Sequence, residues 1–218
     1  LFSCKKEKDS GENKNPEFEK LLDKADSYYE NQKYDSALVY YYKAKLVCTP
    51  DELDNISFAL YYISEIQQKQ SDFSGSEATA TESLKINPNY SDNFSFYNLL
   101  GTNYLEQNDF EEAIKYYNLA DKGLKRLIDK CVIKKNIGYI YLESKQFSKA
   151  KVILESIVTH DSLVADKENY ARVLDNLGFA YFKLNQPQAI DYLNRSLKIR
   201  DSIKNDSESI ASYMHLSE

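Results

Sequence analysis

Apolar and small residues recur at spacings of three and four along most of this chain, in paired segments that short polar stretches separate. The pattern is clearest from Tyr97 to Ala120, where its positions are Tyr97, Leu100, Gly101 and Tyr104, then Phe110, Ala113, Ile114, Tyr117 and Ala120. Spacing of this kind places the side chains on one face of each of two helices. The polar residues 107–109 between them favour a tight turn, with Asp109 capping the second helix. The stretch therefore predicts a helical hairpin.

The hairpin pattern returns along the chain with a period of 37 to 40 residues. Its clearest mark is a small residue where two helix backbones must approach closely. This residue occurs at Ala25, Ser64, Gly101, Gly138, Gly178 and Ser217. Because three of the six glycines of the chain occupy this one position, we predict an array of similar hairpins.

This array resembles the tetratricopeptide repeat, or TPR, family, in which helix-turn-helix units stack into a solenoid. The resemblance implies an all-α fold, a right-handed α-α superhelix of about five repeats and a partial sixth. The implied TPR domain covers residues 17–218, with repeats at about 17–48, 51–88, 91–126, 130–159, 167–203 and 206–218. The fifth repeat has a shorter turn, because the step from Tyr181 to Ala189 is 8 residues, whereas that from Tyr104 to Ala113 is 9.

Residues 1–16 are mostly polar after the first four and predict a flexible tether. The opening Leu1-Phe2-Ser3-Cys4, followed by charged residues, resembles the end of a bacterial lipoprotein signal. That resemblance implies a lipid on Cys4 and an exported, lipid-anchored protein of the cell envelope. The alternative is an ordinary cysteine in a tail and a cytoplasmic location. Contact with a membrane is expected only through this anchor or through segments that flank the present sequence.

The composition narrows the classes of partner and chemistry. Lys and Arg number 28 against 34 Asp and Glu, a formal net charge of −6 that argues against direct binding of nucleic acid. His160 and His215 have no Cys or His neighbour at metal-ligand spacing, and no phosphate-binding loop or nucleophile motif occurs. Cys48 and Cys131 lie two repeats apart, too far for a disulfide, and are interpreted as packing residues. The sequence predicts a protein that is not an enzyme and uses neither a metal nor a cofactor.

The TPR resemblance also implies a concave groove lined by the first helix of each repeat. Carried over by position, the groove residues are Tyr61 and Tyr62 in the second repeat, Asn98, Thr102 and Leu105 in the third, Lys135, Asn136 and Tyr139 in the fourth, and Asn176 and Phe179 in the fifth. Arg172, six residues before Gly178, is added as a cation close to these positions. Asn136 and Asn176 occupy equivalent places and resemble the asparagine rows that hold an extended peptide backbone in some TPR proteins, since an amide both donates and accepts. Lys135 and Arg172 add cations suited to an acidic peptide or a terminal carboxylate. The alternative is that these are solvated side chains without a ligand.

The leading functional prediction is a non-enzymatic scaffold that binds a protein or peptide in its groove, as part of a larger exported or membrane-anchored bacterial protein. The alternative is the extracytoplasmic sensory region of a membrane-bound signalling protein, a histidine kinase or a transcriptional regulator, whose output domain follows Glu218. The coding sequence downstream of Glu218 distinguishes the two.

Overall fold

The computed structural model describes residues 15–203, and within that range every regular element is a helix, which confirms the predicted all-α class. The helices are α1 (Pro16–Glu30), α2 (Tyr34–Leu46), α3 (Leu53–Lys69), α4 (Phe73–Ile86), α5 (Asn93–Glu106), α6 (Phe110–Gly123), α7 (Leu127–Glu143), α8 (Phe147–Glu155), α9 (Asp161–Ala165), α10 (Lys167–Lys183) and α11 (Ala189–Ser202). Cys4, His215, Ser217 and the predicted partial sixth repeat lie outside the described residues. No helix between residues 15 and 203 combines the length and the apolar character needed to cross a membrane.

The helices divide between two compact units, whose boundary falls after Gly123. Unit 1 contains three hairpins: α1–α2, α3–α4 and α5–α6, here called hairpins 1 to 3. Unit 2 contains hairpin 4, α7–α8, and hairpin 5, α10–α11. The five predicted helix pairs are therefore all present. The short helix α9 was not predicted, and it buries Leu163 completely in the core of unit 2.

Helix α1 begins one residue before the predicted repeat boundary because Asn15 caps it. The Asn15 side chain accepts a hydrogen bond from the backbone N–H of Phe18 at 3.1 Å. Pro16 follows as the first helical residue, where the lack of an N–H costs nothing. The Asn15 amide also donates to the carbonyl of Val47 at 3.1 Å, so the cap joins the start of α1 to the end of α2.

The repeated small residue lies where the two helices of each hairpin contact each other, a contact that we call the seam. A Cβ atom added to Gly101 would lie 2.7 Å from the ring of Tyr117 on the second helix of the hairpin. The same atom on Gly138 or Gly178 would lie 2.7 Å from Leu154 or Leu193, respectively. These distances are shorter than any ordinary carbon contact, so a larger residue at these three positions would require the facing side chain to move. Hairpin 1 has Ala25 at the equivalent position, which shows that the constraint differs between hairpins.

Hairpin 2 meets the same constraint with different residues. Ser64 takes the place of glycine, and its hydroxyl lies 2.9 Å from the backbone carbonyl of Ser76 and 3.0 Å from the Ser76 hydroxyl. Asn103 of hairpin 3 donates to the same Ser76 hydroxyl at 2.9 Å and accepts from Gln68 at 2.7 Å. This buried polar chain ties α3, α4 and α5 of unit 1 together.

The turn inside each hairpin contains one non-glycine residue in the left-handed region, with φ between 53° and 62°. These residues are Gln32, Ser71, Asn108, Lys145 and Asn185. The shortening predicted for the fifth repeat falls after this residue. The Ala189 N–H bonds to the carbonyl three residues back, on Gln186, whereas the equivalent Ala113 N–H bonds four residues back, to Asp109. One residue is therefore removed from the start of α11 without altering the left-handed turn.

Candidate functional site

The predicted groove tyrosines of unit 1 lie at the contacts between hairpins, Tyr62 between hairpins 1 and 2 and Tyr61 between hairpins 2 and 3. Tyr62 stacks on Tyr41 with ring centroids 5.0 Å apart and meets the ring of Tyr29 edge-on at 5.5 Å. Tyr61 meets Tyr62 and Phe96 edge-on and is only 3% exposed. Most of the surface of both side chains is therefore buried against neighbouring helices.

The predicted groove residues of α5 are also drawn partly into the fold. The Thr102 hydroxyl lies 3.1 Å from the Tyr117 hydroxyl across hairpin 3 and donates to the carbonyl of Asn98. In hairpin 1 the equivalent pair is Tyr41 and Asp26, 2.6 Å apart, so this link between the two helices recurs. Asn98 is 9% exposed, and Leu105 is half-buried.

A buried carboxylate lies beside the aromatic residues of unit 1. Glu65 is 8% exposed, and its burial raises the pKa of its carboxyl above the usual value. Lys69, 3.5 Å away, and a hydrogen bond with the Tyr29 hydroxyl act in the opposite direction. These two contacts offset only part of the effect of burial, and the bond to Tyr29 links α3 to hairpin 1.

In unit 2, Lys135 links α7 to α10. Its side chain is buried, and its ammonium group donates to Asn169 Oδ1 at 2.8 Å. Asn169 is held in turn by Asp166, which accepts from the Asn169 amide at 2.9 Å and caps α10. The sequence indicated the charge of Lys135 but not Asn169, because the two residues are 34 positions apart.

The sequence pattern also did not indicate a buried ion pair between α10 and α11. Asp175 and Arg200 are each 3% exposed, and their nearest charged atoms are 3.7 Å apart. Arg172, on the same helix as Asp175, pairs at 3.0 Å with Glu168, one turn earlier and close to the surface. Both pairs lie in helices whose apolar spacing was predicted correctly, yet the spacing did not show which charged side chains are buried.

The remaining predicted residues lie on α7 and α10, which are in contact within unit 2. Asn136 and Tyr139 lie three residues apart on α7, as do Asn176 and Phe179 on α10, so each pair shares one side of its helix. Tyr139 is 41% exposed, and the other three side chains are partly exposed. The Asn176 amide makes no hydrogen bond within residues 15–203. We call these four residues the α7–α10 face.

A cation and a further aromatic ring lie next to this face. The ammonium group of Lys183 lies 4.8 Å from the centroid of the Phe179 ring, within the range of a cation–π interaction. The Phe147 ring of α8 meets Phe179 edge-on at 6.4 Å and fixes its position. Amides, aromatic rings and a lysine provide hydrogen bonds and apolar contact, the interactions that hold a peptide.

The cysteines and acidic residues offer little chemistry in the described part of the chain. Cys48 and Cys131 are both free thiols. Cys131 is 1% exposed, and burial raises the pKa of its thiol, so it is a poor nucleophile. Between residues 15 and 203, no three His, Cys, Asp or Glu side chains converge as a metal ion requires.

Comparison with known proteins agrees with this architecture. Residues 94–122, which span most of hairpin 3, match the model of the tetratricopeptide repeat. No curated protein matches the sequence. Among solved structures, BtubC (BKLC) from P. vanneervenii is similar, with a TM-score of 0.71, 18% identity and coverage of 85% of this chain and 80% of that one.

Two other similar structures have comparable extent. YrrB, described as a TPR protein with an unusual peptide-binding site, has a TM-score of 0.63 and 14% identity over 94% of each chain. The putative kinesin light chain TPR-like repeats of Podosopora anserina have a TM-score of 0.66 and 14% identity, covering 88% of this chain and 99% of that one. With the hairpin seams, the turns and the match at residues 94–122, these similarities show that the chain has the all-α fold of tetratricopeptide-repeat proteins.

Proposed function

We propose that this protein is a non-enzymatic scaffold that binds an extended segment of another protein on the α7–α10 face. The observation that carries the proposal is the Asn176 amide, partly exposed and without a hydrogen-bond partner in residues 15–203. An amide in this state can donate to and accept from a peptide backbone whatever the side chains of that peptide.

The arrangement of rings supports the same proposal. Tyr139 and Phe179 each lie one helical turn beyond an asparagine, on helices that contact each other. A peptide crossing the two helices would therefore meet an amide and an aromatic ring on each. YrrB, which shares this fold, is described as having a peptide-binding site, and we extend peptide binding to the present chain on that basis.

The test is the double variant Asn136→Ala and Asn176→Ala. Loss of two side-chain amides is expected to lower the affinity for the captured protein about thirtyfold, because each hydrogen bond contributes roughly 1 kcal/mol. Capture on immobilised protein from an extract of the source cells, quantified by mass spectrometry, measures the change.

The matched control replaces two exposed asparagines on second helices of hairpins, Asn118→Ala and Asn194→Ala. This variant should retain the same proteins as the wild type. Equal retention by the face variant and the control variant would contradict binding through the α7–α10 face.

We also propose that the scaffold acts at the cell envelope, anchored by a lipid on Cys4. The support is the resemblance of residues 1–4 to a lipoprotein signal and the polar segment that follows. Metabolic labelling of the full-length protein with a fatty acid is expected to give a labelled band that disappears with Cys4→Ser. Labelling that persists in this variant would exclude lipidation at Cys4.

A further inference from the structure

The two units carry opposite charge. Residues 15–123 of unit 1 contain nine Lys against 19 Asp and Glu, a net charge of −10. Residues 124–203 of unit 2 contain 14 Lys and Arg against nine Asp and Glu, a net charge of +5. The formal charge of the whole chain conceals this difference, which is large enough to direct where an acidic or basic partner binds.

The difference in charge between the two units is largest around the turns that join the first helix of each hairpin to the second. We call this region the turn edge. The turn edge of unit 1, residues 30–38, 69–77 and 106–114, carries Lys33 and Lys69 against Glu30, Asp35, Asp72, Glu77, Glu106, Asp109, Glu111 and Glu112. The turn edge of unit 2, residues 143–151 and 183–191, carries Lys145, Lys149, Lys151 and Lys183 against Glu143 and Asp191. Equivalent positions therefore change from acidic to basic.

A surface cavity opens at the turn edge of unit 2. Its volume is about 320 Å3, and it lies where the turn of hairpin 4 meets the end of α10. The residues that line it are Lys145, Gln146, Phe147, Ser148, Lys149 and Leu184. Two cations and two apolar side chains thus line one concave surface, which suits a ligand that is both anionic and apolar.

Uncharged groups hold the lysines around this cavity in place. Lys149 donates to Gln146 Oε1 at 2.7 Å, and Lys151 donates to Gln186 Oε1 at 3.3 Å. Each ammonium group also lies over a tyrosine ring, Lys149 at 5.5 Å from Tyr141 and Lys151 at 5.4 Å from Tyr181. A glutamine carbonyl or a ring orients an ammonium group without neutralising it, so the charge remains available.

One carboxylate of this turn edge is already paired with a cation. Asp191, one of the two on the turn edge of unit 2, lies 3.5 Å from Arg195 on its own helix. In unit 1 the situation differs, since Lys69 of its turn edge is paired at 3.5 Å with Glu65. Lys149 and Lys151 are therefore oriented by glutamine carbonyls and tyrosine rings, and a carboxylate adjoins this arrangement, that of Glu155, which accepts from the Tyr181 hydroxyl.

We propose that the turn edge of unit 2 is a docking surface for an acidic segment of another protein. Carboxylates of that segment contact Lys145, Lys149 and Lys151, and an apolar side chain between them enters the cavity beside Phe147 and Leu184. The acidic turn edge of unit 1 repels the same segment, which confines it to unit 2. The surface adjoins the α7–α10 face, because the Phe147 ring of the cavity contacts the Phe179 ring, with centroids 6.4 Å apart. Its three lysines are not among the four residues of that face, so the two sites can be tested by different substitutions.

The test uses a fluorescent oligoglutamate peptide with one central leucine as the probe, titrated with the full chain at low salt. The double variant Lys145→Gln and Lys149→Gln is expected to bind about tenfold more weakly, since two cation contacts are lost. Glutamine is compatible with the left-handed backbone of residue 145, because Gln32 has the same φ of 56° in hairpin 1. Far-UV circular dichroism checks that the variant is folded.

The matched control, Lys167→Gln and Lys198→Gln, removes the same charge from exposed positions of unit 2 away from the turns. Wild-type affinity in this control supports the proposal, and an equal loss in both variants would overturn it in favour of a general attraction to a basic unit. Two other results would also overturn it. The first is tighter binding of a DNA oligonucleotide than of the peptide. The second is failure of the peptide to bind together with self-association of the wild type that the Lys145 and Lys149 changes abolish. Because the Asn136 and Asn176 variant should bind this peptide normally, failure of one site is distinguishable from failure of the other.

Discussion

Replacing Asp175 with alanine is expected to lower the free energy of unfolding by about 3–5 kcal/mol. The change leaves the guanidinium group of Arg200, which is 3% exposed, without its carboxylate at 3.7 Å. A buried charge that loses its counterion retains the cost of leaving water and loses the attraction that offset it. Urea unfolding followed by circular dichroism measures the effect.

Two further variants separate this cause from others. Asp191→Ala removes a carboxylate from an exposed pair with Arg195 and should change stability by less than about 0.5 kcal/mol. Replacing Asp175 and Arg200 together by leucine and methionine should recover most of the loss, because no charge is then left buried. A loss of under about 1 kcal/mol with Asp175→Ala would show that Arg200 does not depend on Asp175.

Gly101→Ala is expected to destabilise the protein by about 1–3 kcal/mol, although alanine favours a helix more than glycine does. The added Cβ would lie 2.7 Å from the Tyr117 ring. That ring is fully buried, and its hydroxyl lies 3.1 Å from that of Thr102, so it has little freedom to move aside. Overlap at the seam outweighs the gain of about 1 kcal/mol in helix propensity.

A double-mutant cycle tests this account of the seam. Hairpin 2 has Ser64 and Ala80 at the positions of Gly101 and Tyr117, a pair with the smaller side chain on the second helix. Hairpin 1 has Ala25 and Tyr41 there, so the short distance to the ring in hairpin 3, and not the pair of residue types alone, is the reason for the expected loss. In a Tyr117→Ala background, Gly101→Ala should no longer destabilise and should add up to about 1 kcal/mol. If Gly101→Ala stabilises the wild type by a similar amount, the close approach of the two helices is not a constraint.

The sequence predicted the seam because its cause is local. Glycine recurs at Gly101, Gly138 and Gly178 at a fixed place in a helical pattern, and close helix contact was the physical reason for it. The capping role of Asp109 was predicted on similar grounds, and its carboxylate does accept from the Glu112 N–H, at 3.4 Å. Asp109 and Glu112 lie within one helical turn, and Gly101 and Tyr117 lie within one hairpin, so both features depend on residues close in sequence.

The details of the groove depend on residues far apart in sequence, which the pattern does not encode. Carrying over family positions placed Lys135 in the groove, whereas its ammonium group binds Asn169 on the next hairpin. The burial of Asp175 with Arg200 likewise depends on how α10 meets α11. The separation of charge was open to prediction, but a single net charge of −6 averages over both units and hides it.

The central claim is that the α7–α10 face contacts a partner protein, and site-specific photo-crosslinking tests it most directly. A benzophenone amino acid replaces Tyr139 on this face or, as a control, Tyr42 on α2, which are 41% and 43% exposed. Crosslinks to a distinct protein from position 139, lost with Asn176→Ala and absent from position 42, are the predicted result. Equal crosslinking from both positions, or crosslinks from 139 that Asn176→Ala leaves unchanged, would contradict the claim.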